Sequence, residues 1–106
     1  MSENQQKLDN LREEFYRNRR EIETKEDAIR LQAKQLVNDL EGLQQQTFHC
    51  LSGVASDDFE LRRALNKVGC MAEQVQEEAQ SERRRLKREL DDLEYDYQVQ
   101  KRKLEG

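Results

Sequence analysis

The side chains of this sequence best suited to nucleophilic or metal chemistry are one histidine and two cysteines, His49, Cys50 and Cys70. His49 and Cys50 are adjacent, so on a helix their side chains diverge by about 100°, and no third residue stands where it would orient the imidazole. A thiol is activated by a base aimed at it, and this spacing aims none. The same residues and the scattered carboxylates give no H-x-x-x-H, C-x-x-C or calcium-loop spacing, and no glycine-rich loop cradles a phosphate. The expectation is a non-enzymatic chain with no catalytic residue, no cofactor and no metal site.

Two cysteines are also too few for the disulfide framework of a small secreted fold, and both are read as free thiols. The run "RRRLKR", Arg83 to Arg88, is the one basic patch. Acidic residues follow it at once, and Arg85 with Glu89, Lys87 with Asp91 and Arg88 with Asp92 are spaced to pair along one helix face. No aromatic residue interleaves to stack bases, so nucleic acid is not an expected partner. The totals agree, since 19 basic and 23 acidic residues leave a net charge of only -4. The N-terminus "MSENQQKLDN" lacks the basic region and apolar run of a secretory signal, and nowhere do about 18 apolar residues run together. A cytoplasmic chain without membrane insertion is expected.

What remains is a question of helices. At 106 residues, 40% charged, 34% hydrophobic and without proline, the chain has little material for a globular core and a heavy load of good helix formers. Stepping by sevens from Leu8 gives Leu8, Phe15, Ile22, Ile29, Leu36, Leu43 and Cys50, an apolar stripe along one helix. Leu61, Leu65, Val68, Ala72, Val75, Ala79, Leu86, Leu90, Leu93, Tyr97 and Leu104 form a second, with a slip of spacing between Leu86 and Leu90. Ser2 with Gln5, and Asp57 with Glu60, have capping-box spacing, Asp58 favours the second helix's first turn, and Gly53 suits a left-handed helix closure. These signals predict one all-α antiparallel hairpin over residues 1–106: helix at about 3–51, turn at about 52–56, helix at about 57–104.

Folding the chain near residue 54 places residues whose numbers total 108 opposite one another, and the apolar stripes then coincide. Phe15 meets Leu93, Ile22 meets Leu86, Leu36 meets Ala72, Leu43 meets Leu65 and Leu11 meets Tyr97. Nothing but a hairpin requires the two phases to match across the turn. The alternative is a continuous rod through residue 53 in a dimer. Prefoldin-like hairpins fit less well, because no room is left between the helices for paired strands. In the level register Lys25 faces Arg83 and Glu26 lies near Glu82, a soft middle of like charges. Cys50 and Cys70 fall about twelve residues out of register, ~18 Å along the axis at ~1.5 Å per residue, too far for an intrachain bridge.

A two-helix seam of this length is marginal alone, which predicts completion by further helices from a partner or a second copy. Apolar residues beyond the seam mark where: Val37, Phe48, Leu51, Val54, Phe59 and Met71 are the expected partner-binding residues. Val37 and Met71 carry most weight, being opposite in the register yet off the main stripes. Phe48, Leu51 and Phe59 have the competing role of capping the hairpin end. Gly42 and Gly69, placed inside helices, are small enough to admit a partner's backbone.

A hundred-residue hairpin with "LSG", Leu51, Ser52 and Gly53, at its turn resembles the small WXG-type proteins of bacterial type VII secretion, whose turn carries Trp-x-Gly. Leu51 stands where that family has Trp. No aromatic residue is followed by an acidic one four positions on: Tyr95 leads to Val99, Tyr97 to Lys101, Phe59 to Arg63. The departure points to the helical accessory proteins encoded beside LXG toxins, to which the chain is similar in architecture. By that resemblance it would be an adaptor, chaperone or targeting factor for a secreted toxin's helical N-terminal domain, working by helix packing. A second small accessory protein could accompany it, with co-export alongside its client as a variant of the cytoplasmic reading. The alternative is structural: a homodimeric four-helix bundle, or a stalk of a type III export apparatus.

Overall fold

A computed structural model describes residues 2–53 and 58–106. Two long helices, α1 (Ser2–Ser52) and α2 (Asp58–Glu105), pack as an antiparallel hairpin, the architecture expected from the matching phases. No strand occurs among the described residues. The capping boxes at Ser2 and Asp57, the contribution of Asp58, Val54 and most of the turn lie outside what is described.

The close of α1 differs from expectation. The helix runs through Ser52, whose hydroxyl donates to the His49 carbonyl at 3.4 Å, and no described glycine takes a positive φ. The left-handed closure assigned to Gly53 is not used: a side-chain hydroxyl meets one of the carbonyls that the last turn leaves unpaired. At the other end Gly106 N–H donates to the Arg102 carbonyl at 2.8 Å. Arg102 and Lys103 sit in the last turn of α2, where positive charge suits the helix dipole.

The hairpin divides into two compact units. The first joins Met1–Ala28 to Glu82–Gly106. Its centre is aromatic: Phe15 is buried, and its ring stacks on Tyr97 with centroids 4.2 Å apart and planes 15° from parallel. Leu86 is the most enclosed side chain named in the core, 2% exposed, and Leu8, Leu11, Ile22, Leu90, Leu93 and Leu104 are half-buried around this line. Enclosing a leucine to that degree contributes ~1.5–3 kcal/mol. Beside the stack, Arg12 hydrogen-bonds Tyr97, which raises the guanidinium pKa further, with Asp9 adding a smaller push in the same direction.

The middle is not a clash of like charges. Glu26 is half-buried on the seam and accepts a 3.2 Å bond from Arg83 Nη2, so the soft centre is closed within the chain by opposite charges. Arg83 Nε is buried without a partner, the one polar atom that this arrangement leaves unsatisfied among the described side chains. With both side chains about two-fifths exposed, the pair contributes little to stability.

The second unit, Ile29–Ser81, has a thinner interior. Val68 is its buried hydrophobe, and small residues fill much of the rest: Ala33, Ala64, Gly69, Ala72 and Ala79 are all half-buried. Gln44 Nε2 reaches across to the Leu65 carbonyl at 3.4 Å.

Among the cross-helix contacts, residue numbers total 112 for Phe15–Tyr97 and 109 for Arg12–Tyr97, Glu26–Arg83 and Gln44–Leu65. The level pairing of 108 sets Phe15 opposite Leu93, and the Phe15 ring stacks on Tyr97, one turn further along α2. Every Cα–Cβ bond leans toward the N-terminus of its own helix. In an antiparallel pair the two leans oppose, so side chains that meet come from positions a few residues further along.

Candidate interaction surface

The stripe of sevens holds only halfway along α1. Leu8, Phe15, Ile22 and Ile29 are buried or half-buried, but Leu36 and Leu43 are 49% and 46% exposed, and Cys50 is exposed too. In their place Val37, Gln44 and Leu51, each one residue later, are half-buried. The cause is the mismatch between a seven-residue repeat and a straight helix: ~20° per heptad accumulates to ~80° over the four heptads from Leu8 to Leu36, nearly one residue's rotation. The enclosed positions from Leu8 to Leu51 instead take twelve steps over forty-three residues, about 3.6 per turn. In α2, half-buried Arg83 occupies the turn between Ala79 and Leu86, which moves the slip expected at Leu86–Leu90 one turn earlier.

This rotation reassigns the expected partner-binding residues. Val37 and Leu51 are half-buried on the side of α1 that turns toward α2. Met71, 52% exposed, stays outside, as do Phe48 and Phe59. The three do not share a face. At 100° per residue, Met71 lies on one flank of the second unit's seam, Phe48 on the other, and Phe59 on the back of α2. Phe48 instead meets the neighbouring His49 ring edge-on at 6.0 Å, over a shallow depression lined by Gln44, Gln45 and Leu65.

Leu36 and Leu43, absent from the expected partner-binding set, join Met71. In an antiparallel pair, positions of the same angular offset from the seam fall on the same side, and Leu36, Leu43 and Met71 share that offset. Met71 is level with the stretch between the two leucines. Cys50 continues the α1 row toward the turn, and Lys67 and Asp39 stand at its edges. These three large apolar side chains are each about half exposed, and their common offset sets them on one flank beside a thin interior. The signal for it was in the sequence: the heptad arithmetic itself, carried far enough, rotates those leucines out.

The reactive groups are dispersed. Cys50 and Cys70 are both free and exposed, and no group of three or more His, Cys, Asp or Glu among the described residues is arranged to hold a metal. Of the basic run, Arg83 is engaged by Glu26, and Arg85 lies 2.8 Å from Glu82 and 3.4 Å from Glu89. The bond to Glu82, then the charges of Glu82 and Glu89, raise the Arg85 pKa. Among the described residues no helix is long and apolar enough to cross a membrane.

On the back of α2, Phe59 and Cys70 border an open groove with Arg62, Arg63, Asn66 and Lys67. Phe59 is 70% exposed there, with cations on either side. Comparison of the chain with protein-family models, with curated proteins and with solved structures finds no match in any of the three.

Proposed function

We propose that the hairpin is a non-catalytic adaptor, a chaperone or targeting factor that receives the helical N-terminal domain of a secreted LXG-type toxin by helix packing. The observation that carries this reading is the flank of Leu36, Leu43 and Met71. Exposed apolar side chains at helical spacing beside the seam fit the apolar face of an added amphipathic helix. The interior gains most from such an addition where it is built of alanines. The specific client class rests on the resemblance of the "LSG" hairpin to WXG-type accessory proteins, and on the missing aromatic-x-x-x-acidic signal, which leaves the client to supply recognition by the exporter.

The test is co-expression with an LXG toxin's N-terminal domain and mass measurement of the purified complex in solution. A heterocomplex is expected, and its loss is expected in a Leu36→Lys, Met71→Glu double variant that keeps its helicity. A client bound equally well by that variant sinks the reading.

A further inference from the structure

The back of α2 carries a charge pattern that neither the seam nor the apolar flank explains. Of the like-charged pairs at i,i+4 along this one helix, four fall within a single exposed strip opposite the seam and alternate in sign: Arg63 and Lys67, Glu73 and Glu77, Arg84 and Arg88, Asp92 and Asp96. Like charges at this spacing oppose the helix that bears them. Their order is also antisymmetric about residue 80. The first pair mirrors the fourth and the second mirrors the third, with opposite sign each time.

We propose that this face is a self-complementary docking surface on which a second copy of the chain binds, α2 against α2 and antiparallel. Arg63 and Lys67 of one copy then meet Asp96 and Asp92 of the other, and Glu73 and Glu77 meet Arg88 and Arg84. The angular positions agree with the order of charges. At 100° per residue the first and fourth pairs lie to one side of the strip's midline and the second and third lie nearer its other side, and antiparallel packing brings like offsets together. At the crossing point sits Ser81, small and exposed. The exposed ring of Tyr95, flanked by Asp91, Asp92 and Asp96, is delivered to the partner's groove of Phe59, Arg62, Arg63, Asn66, Lys67 and Cys70, where cations can lie over an aromatic face. Each contact joins the second unit of one copy to the first unit of the other. Exposed ion pairs dominate, so association is modest and sensitive to salt. The flank of Leu36, Leu43 and Met71 takes no part and stays open.

The experiment is sedimentation of the full chain, without any client and under reducing conditions so that Cys50 and Cys70 cannot link copies. A dimer is expected at low ionic strength and a monomer at ~1 M salt, where the screening length falls to ~3 Å. Arg63→Glu with Lys67→Glu, and separately Asp92→Lys with Asp96→Lys, should each weaken association by at least about tenfold through like-charge contact. Mixed in equal amounts, the two variants should recover it as a heterodimer, because each reversed pair then faces its complement; this separates a lost contact from a lost fold. The native chain remaining monomeric at low salt, or a mixture that stays monomeric while both variants are helical, overturns the proposal. So does a dimer abolished by Leu36→Lys with Met71→Glu but indifferent to the charge reversals. A failed toxin complex, by contrast, leaves this dimer untouched.

Discussion

Three side chains, Phe15, Val68 and Leu86, form the buried hydrophobic core of the described residues, so single substitutions there act on a large share of what holds the hairpin shut. Leu86→Ala is expected to cost about 2–3 kcal/mol, toward the low end for a core leucine because a two-helix seam can close over a vacancy. Thermal unfolding followed by circular dichroism reads this directly. The glycines act in the opposite direction. An added Cβ at Gly42 or Gly69 meets nothing within 4 Å, so replacing either by Ala should stabilise by ~1 kcal/mol through helix propensity. Gly69 then separates two roles: if a partner's backbone seats against it, Gly69→Ala unfolds later yet binds more weakly. Both thiols should titrate with a disulfide reagent in the native state, and a thiol that reacts only on denaturation would contradict the exposure of Cys50 and Cys70.

At the scale of the helices, most of the fold was legible and the face was not. Seven-residue counting from Leu8 revealed a long helix and, with α2, the hairpin, because both conclusions need only the phase of the pattern. It placed Leu36 and Leu43 on the seam, where they are instead about half exposed, because a face depends on the accumulated angle, and a fixed count of seven discards about 20° at each repeat. The stack of Phe15 on Tyr97 was hidden for a related reason: counting locates Cα atoms, whereas contacts are made by side chains that lean. The Glu26–Arg83 pair was hidden by the same level register, which set Arg83 against Lys25. Replacing both partners with leucine removes the unsatisfied Arg83 Nε and should raise the unfolding temperature, since a poorly enclosed ion pair is readily outdone by apolar packing. Spin labels near Phe15 and Tyr97 should remain close in the native chain and spread in distance in the leucine variant, as a uniformly apolar seam permits sliding. A native chain with those labels far apart would refute the alignment itself.

For the molecule as a whole, the chemistry is carried by surfaces. The apolar flank and the charged back of α2 differ in what defeats them: lysine at Leu36 and Leu43 should abolish the proposed client binding with less than about 0.5 kcal/mol change in stability, as expected where side chains are already half solvated. Isothermal calorimetry against the toxin domain measures the first and denaturant titration the second. Loss of both together would return those leucines to the interior. The proposed client class rests on the resemblance of the turn alone, because apolar helix faces recognise periodicity and volume and carry little information about which helix is applied.

A seam with so few enclosed groups also bears on protein lifetime in the cell. Native chains that open often are exposed to degradation in proportion to the open fraction, and a bound helix reduces that fraction by mass action. On the proposed adaptor reading, the hairpin should therefore be turned over quickly when made alone and slowly when made together with the toxin domain. Pulse labelling with and without the toxin domain compares the half-lives, and equal half-lives would show that the seam suffices on its own.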